Sequence, residues 1–273
     1  MKRITSLVQM TPAERGACTA IGNFDGVHLG HQAVLDLTRE TARSLGAPLG
    51  VLTFEPHPRE VFRPDDQPFR LMNSEAKAHR LEKLGVDFLS EIPFDVSLFG
   101  LTAEEFCKEV LVEGLGVTGV TVGADFCYGK GRAGNAETLR QAGAEFDFAV
   151  SISELLGLAN SGERVSSTAI RNALADGLPH KAAAMLGHWH RIEGPVIGGE
   201  QRGRALGYPT ANMSIDDLHP PAFGVYAVLV DVLEGPHAGT YHGVASLGVR
   251  PMFGENRPNL ETFVFDFSGD LYG

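Results

Sequence analysis

The chain has 273 residues, 43% hydrophobic and 21% charged, a balance that argues against disorder and supplies a core without disulfide staples. Its 34 acidic side chains exceed 23 basic ones, for a formal charge of −11, which argues against sequence-independent nucleic-acid binding because that needs clustered cations. At roughly 150 residues per domain, the length predicts about two domains.

In chain order, Cys18–Phe24 reads as a strand and Gly30–Leu45 as a helix. Leu49–Phe54 reads as a strand, Glu75–Leu84 as a helix and Phe88–Phe94 as a strand. Thr102-Ala103-Glu104-Glu105 is a capping box that opens a helix running to Leu115. Val117–Val122 is a β-branched strand, Ala136–Ala144 a helix and Phe148–Ile152 a strand, while Ser167–Ala175 and Lys181–Leu186 read as helices. Strands alternating with helices predict βαβ units, hence an α/β domain with a doubly wound parallel sheet. After Gly187 the helical period stops. Arg191–Ile197, Gly224–Leu233, Gly239–Leu247 and Leu260–Phe267 read as strands separated by Gly and Pro, predicting a small antiparallel β-barrel. The expected domains are therefore residues 1–186 and 187–273.

Cys18, Cys107 and Cys127 lie far apart without C-x-x-C spacing, so neither a disulfide framework nor a cysteine zinc site is expected. No apolar run approaches the ~18 residues of a membrane span, and no apolar stretch follows the cations at the N-terminus. The expectation is a cytoplasmic protein whose partners are neither nucleic acid nor membrane.

Two glycine patterns fail as phosphate motifs. Gly114-Leu115-Gly116-Val117-Thr118-Gly119 leaves a helix and enters a strand, the reverse of a dinucleotide fold, and reads as a helix cap and turn. Gly123 to Gly129-Lys130 has five residues between its glycines, where a P-loop has four, and Gly131 stands where Ser or Thr is required. The stronger segment is Gly22-Asn23-Phe24-Asp25-Gly26-Val27-His28-Leu29-Gly30-His31, which leaves the first strand and enters the first helix. Helix-start N–H groups favour anions there, and Gly26 and Gly30 admit close backbone approach. His28 and His31 are three apart, so they share a face once the helix has begun, and two imidazoles can compensate charge at an attacked phosphorus. A Gly-rich turn with two surface histidines is the plainer alternative, and a His-His metal pair lacks an evident third ligand. Arg164-Val165-Ser166-Ser167-Thr168-Ala169-Ile170-Arg171 opens another helix. Its serines suit either an N-cap or, with two arginines, a polyphosphate.

The first strand–loop–helix resembles the H-x-G-H signature of class I nucleotidyltransferases, and Ser166-Ser167-Thr168 their second phosphate-binding segment. More narrowly, the chain from about residue 18 to Gly273 resembles the prokaryotic bifunctional riboflavin kinase/FMN adenylyltransferase family. The resemblance rests also on Phe54-Glu55-Pro56-His57-Pro58, on Gly123-Ala124-Asp125-Phe126 with Gly129, and on Arg202-Gly203-Arg204 before Leu206-Gly207-Tyr208-Pro209-Thr210-Ala211-Asn212. Gly224-Val225-Tyr226, Gly248-Val249-Arg250-Pro251 and Glu261 before Asp266-Phe267 complete it.

For the first half it implies attack of an FMN phosphate oxygen on the α-phosphate of ATP, giving FAD and pyrophosphate. His28 and His31 would contact the ATP phosphates; Gly22, Asn23, Phe24, Gly26 and Gly30 would line their pocket. Arg164, Ser166, Ser167, Thr168 and Arg171 would hold the other side. Asp125 and Phe126 would face flavin or adenosine, and Cys127, where relatives have a basic residue, reads as a buried small side chain. For the second half the resemblance implies phosphorylation of the riboflavin 5′-hydroxyl by Mg-ATP. Thr210 and Asn212 would hold Mg²⁺, Arg202 and Arg204 would approach the nucleotide phosphates, and Glu261 would accept the hydroxyl proton. On their own, Pro209–Asn212 read as an ordinary turn and Glu261 as a solvated strand residue. Trp189 reads as packing at the domain junction.

Family members continue past Asp270-Leu271-Tyr272-Gly273 with another strand and a helix, so the resemblance implies a barrel lacking a closing element. The alternative function is an FMN adenylyltransferase with an incomplete kinase half. A cytidylyltransferase would share the histidines without reason to carry Thr210, Asn212 and Glu261, and a non-enzymatic flavin-binding module would have no need of His28 and His31.

Overall fold

The computed structural model describes residues 1–158, 162–198, 209–249 and 258–273, which form two compact units. The first comprises Met1–Asp66, Ser74–Ala169 and Met185–His188; the second comprises Gln67–Asn73, Ile170–Ala184 and Trp189–Gly273. Where one cut after residue 186 is expected, the units interleave along the chain.

The first unit opens with β1 (Lys2–Ile4), β2 (Cys18–Ile21), α1 (Leu29–Leu45) and β3 (Leu49–Glu55), followed by α2 (Pro58–Phe62), α3 (Ser74–Lys83) and β4 (Phe88–Pro93). Next come α4 (Val96–Phe99) and α5 (Ala103–Glu105), which runs on as a π-helical Phe106–Leu115. The short β6 (Cys127–Tyr128) and β7 (Gly134–Asn135) lie between β5 (Gly119–Gly123) and α6 (Ala136–Phe146), and β8 is Ala149–Ser153. Helices α7 (Ser167–Ala175) and α8 (Pro179–Leu186) come next along the chain, most of both lying in the second unit, which takes Ile170–Ala184. The capping box forms as expected: Glu105 N–H donates to Thr102 Oγ1 at 3.2 Å, and Thr102 N–H to Glu105 Oε2 at 2.8 Å.

β1-β4-β3-β2-β5-β8 is the order of a six-stranded sheet whose pairs are all parallel. Strands β2 and β3 are apolar runs because both their faces are covered. Phe106, Cys107, Val110, Leu111 and Leu115 pack with Ile21, Leu52, Val120, Val122 and Leu139 in one core. Burying each large side chain contributes about 1.5–3 kcal/mol. On α1, Leu35, Thr38 and Ala42 recur at helical spacing and are buried, and Gly46 ends the helix in left-handed backbone. Strand order reverses at β2, with β3 on one side and β5 on the other. The loops leaving the carboxyl ends of β2 and β5 therefore flank the switch point, where open α/β sheets bind ligands.

The expected barrel is seen, among the described residues, as a four-stranded antiparallel sheet in the order β10-β11-β12-β9, from β9 (Thr210–Ser214), β10 (Gly224–Val232), β11 (Gly239–Val249) and β12 (Pro258–Val264). Leu247 packs with Ile215, Leu218, Ile192, Tyr226 and Leu260 on one face. Two expectations are corrected. Arg191–Ile197 forms no strand and contributes only a bridge from Ile197 to Asn212, because Gly194-Pro195 removes a ladder donor. Conversely Thr210–Asn212, read as a turn, is strand β9, since pairing with β12 overrides its weak local pattern.

Candidate active sites

Because β2 is buried along its whole length, the segment after it emerges at the carboxyl edge of the sheet. Gly22 N–H donates to the Leu52 carbonyl at 3.1 Å, and Thr53 Oγ1 to the Asn23 carbonyl at 3.2 Å. Phe24 (φ 52°), Gly26 (φ 87°) and Val27 (φ 41°) adopt left-handed backbone. For Phe24 and Val27 that conformation costs about 1–3 kcal/mol each, and it is held by full burial of both side chains. Strain retained in this way concentrates at ligand loops.

His28 is the N-cap of α1, its Nδ1 accepting from the His31 N–H at 3.2 Å. With Nδ1 an acceptor, Nε2 is the ring nitrogen left to donate. His31 stacks on it, ring centroids 3.6 Å apart and planes 14° apart. Burial, and then the neighbouring His28 and Lys77, hold the His31 imidazole well below its usual range, so it is neutral at neutral pH. Its Nδ1 is buried without a hydrogen-bond partner among the described residues. Gly30 explains the His-x-Gly-His spacing: a Cβ there would stand 3.1 Å from Cε1 and Nδ1 of His28, pressing on the ring.

The Ser166–Thr168 segment is brought to this loop. Ser167 Oγ donates to the Asp25 carbonyl at 2.8 Å, while Ser166 Oγ caps α7 by accepting from Ala169 N–H at 3.2 Å. Thr168 is exposed on the first turn. At the end of β5, Ala124 N–H donates to the Ser153 carbonyl at 2.9 Å, and exposed Asp125 pairs with exposed Arg164. Phe126 stacks on Tyr128 at 5.5 Å and packs against the core, and Cys127 is half-buried where full burial was expected. Two stacked imidazoles at the start of a 17-residue helix, in the same unit as Arg164, suit an anionic phosphate.

Sequence reasoning missed three features here. His188 Nε2 donates to the Gly26 carbonyl at 3.2 Å, pinning the loop from a distant point in the chain. Lys77 is buried, its Nζ 3.5 Å from Thr53 Oγ1, 3.6 Å from Glu55 Oε2 and 4.0 Å from Glu91 Oε1, so a cation lies beneath the loop. At the carboxyl ends of β3 and β4, Phe94 lies 5.6 Å from both Phe54 and Phe62 and 5.8 Å from Phe99. Phe62 is 62% exposed, so the cluster presents an open aromatic face. Phenylalanines at the carboxyl ends of two strands, Phe54 and Phe94, were the available signal.

In the second unit the β9–β12 register sets Asn212 opposite Glu261 and Thr210 opposite Phe263. Strand alternation gives these residues one face, away from the Leu247 core. Asn212 is buried, its Nδ2 donating to the Thr210 carbonyl at 3.2 Å. Asn259 Nδ2 donates to Glu261 Oε1 at 3.3 Å and to Asn212 Oδ1 at 3.4 Å. On the same face of β10, Val225 and Leu229 are exposed. A polar cluster thus shares its face with an apolar strip.

Arg171 belongs to the second unit, where its guanidinium donates to the Phe69 carbonyl at 3.2 Å and lies 5.6 Å from the Phe69 ring. Arg202 and Arg204 lie outside the described residues. Trp189, expected as packing, is 57% exposed and meets His180 edge-on.

The fold is an α/β unit of nucleotidyltransferase type followed by a small antiparallel β domain. The FAD synthetase family model matches residues 10–169, and the riboflavin kinase model residues 186–273. The chain is 42% identical over 273 residues to a bifunctional riboflavin kinase/FMN adenylyltransferase of Pseudomonas fluorescens, covering all of this chain and 86% of the relative. The protein so named from Escherichia coli K12 is 40% identical, with the same coverage, and that of Bacillus subtilis 36%, covering 93% of this chain and 79% of the relative. A crystal structure titled macrolide-efflux protein, from Streptococcus pneumoniae, superposes with a TM-score of 0.81 at 30% identity, covering 100% of this chain and 86% of that one. Among the described residues, no helix here is long and apolar enough to cross a membrane. The chain belongs to the bifunctional riboflavin kinase/FMN adenylyltransferase family and carries both of its domains. An adenylyltransferase lacking its kinase half is therefore not favoured.

Proposed function

We propose that the second unit transfers a phosphoryl group from ATP to the riboflavin 5′-hydroxyl, and that the first joins the resulting FMN to the AMP moiety of ATP, releasing pyrophosphate. The observation that carries the adenylyl transfer is the stacked His28–His31 pair at the head of α1, at the switch point of the sheet. In-line transfer between phosphates needs positioning and charge compensation more than a protein nucleophile. His28, donating through Nε2, and neutral His31 stabilise charge developing on the α-phosphate oxygens. Gly22, Asn23, Phe24, Gly26 and Gly30 shape the loop around the phosphates, and Arg164, Ser166, Ser167 and Thr168 close its other side. Phe62 and its neighbours offer an aromatic surface for the flavin ring, a better candidate than Phe126, which is stacked on Tyr128.

At the kinase site, Thr210 and Asn212 supply oxygen ligands and Glu261 is the proton acceptor. The set is all oxygen, and the Thr210 carbonyl holds the Asn212 amide with its oxygen turned to the site, which fits a hard divalent cation such as Mg²⁺. When bound, that ion offsets charge on the transferring phosphate. Glu261 removes the 5′-hydroxyl proton as the oxygen attacks the γ-phosphorus. Arg202 and Arg204 remain candidates for nucleotide contact. The apolar Val225–Leu229 strip on the same face suits the flavin.

Incubating the chain with riboflavin, ATP and Mg²⁺ and separating the flavins tests the whole reading. FMN and FAD should both appear. FAD from added FMN alone would reduce it to an adenylyltransferase, and neither product would overturn it.

A further inference from the structure

Asn259 stands two residues before Glu261 on β12, so both side chains leave the strand on one face. Its single amide group has two N–H bonds, and each is used: one on Glu261 Oε1 at 3.3 Å, the other on Asn212 Oδ1 at 3.4 Å. Asn212 is thereby fixed at both ends of its own amide. Its Nδ2 donates to the Thr210 carbonyl at 3.2 Å, and its oxygen receives Asn259. That arrangement turns an oxygen, rather than a nitrogen, toward whatever cation Asn212 meets, and leaves that oxygen a second lone pair. Glu261 is tied to the same amide, so the cation-side and proton-side groups share one reference point. Facing Glu261 from the neighbouring strands are Asn212 on β9 and Ser246 on β11, neither of which is charged.

We propose that Asn259 is a positioning residue of the kinase site, setting Asn212 and Glu261 at once through its two N–H bonds. The proposal rests on the roles given above to Asn212 and Glu261. It makes no contact with riboflavin a requirement, so its loss should lower turnover more than substrate binding. A misplacement of about 1 Å in a reacting group can cost about 10²-fold in rate.

The test uses the full chain with three substitutions. Asn259→Asp keeps the shape and removes both donors, Asn259→Leu removes the polar group, and Asn259→Gln restores an amide on a longer stem. Asn259→Asp and Asn259→Leu should lower kcat for FMN formation by about 10- to 100-fold. The KM for riboflavin should stay within about threefold and conversion of supplied FMN to FAD should not change, because Asn259 lies outside that site. Asn259→Gln should recover part of the lost turnover. Kinase kcat within about twofold of the parent in the Asp and Leu variants would overturn the proposal. So would an equal loss of both activities, which signals misfolding. Glu261→Gln is measured in parallel. If it retains full kinase turnover, the reading beneath fails and Asn259 falls with it; if it abolishes turnover while Asn259→Asp does not, only the role of Asn259 is lost.

Discussion

Replacing His28 and His31 together should lower FMN adenylylation by about 10²–10³-fold and leave riboflavin phosphorylation within about twofold. Removing one preorganised donor from a developing oxyanion costs about 10²–10³ in turnover. The two rings are stacked at 3.6 Å and linked through the His31 N–H, so they act as a unit and their losses should not multiply. His28 also caps α1, and losing a cap costs about 1 kcal/mol. His28→Asn with His31→Ala is therefore the better pair, since asparagine keeps a capping oxygen. Both half-reactions are measured in the same folded preparation, with a melting curve to show that the first unit is intact. Undiminished FAD formation from FMN would remove the imidazoles from the chemistry.

The second large effect belongs to the β domain. Asn212→Ala and Glu261→Gln should each suppress FMN formation from riboflavin, by about 10²–10⁴ for loss of the proton acceptor, and leave conversion of supplied FMN to FAD unchanged. Glu261→Gln keeps the size of the side chain and a hydrogen-bond acceptor for Asn259, so the lost property is the carboxylate. Asn212 is buried and paired across the sheet with Glu261. Its truncation takes one acceptor from the half-buried Asn259 amide and removes the oxygen offered to the cation, so a modest loss of stability, about 1 kcal/mol for a lost hydrogen bond, should accompany the loss of turnover. Equal damage to both activities would mean a shared centre or a collapsed fold.

The sequence made the α/β unit legible because its strands are covered on both faces and its helices carry explicit end signals, such as the Thr102 capping box and the Gly46 cap. The histidine loop was legible because its glycines and histidines have few other reasons to be spaced so. Strand β9 was not, since Thr-Ala-Asn carries no alternating apolar pattern and becomes a strand only by pairing with β12. Arg191–Ile197 failed in the opposite sense, its apolar residues outweighing a Gly-Pro break. Within the sites, Lys77, His188 and Asn259 could not be found from spacing. Each acts on residues that tertiary structure alone brings near: Lys77 through Thr53, His188 through the Gly26 carbonyl, Asn259 across to Asn212. Arg171 is a different case. Its place beside the serines in sequence suggested phosphate, while its guanidinium is engaged by Phe69 in the other unit.

Two separate centres on one chain, linked by released FMN, can be pulled apart by mixing two variants, one with His28→Asn and His31→Ala, the other with Asn212→Ala. Supplied with riboflavin, ATP and Mg²⁺, the first alone should accumulate FMN and the second alone should leave riboflavin unchanged. The mixture should form FAD, since FMN made by one variant is adenylylated by the other. A mixture that forms no FAD, although each variant still performs its own half-reaction on supplied substrate, would contradict the two-centre account.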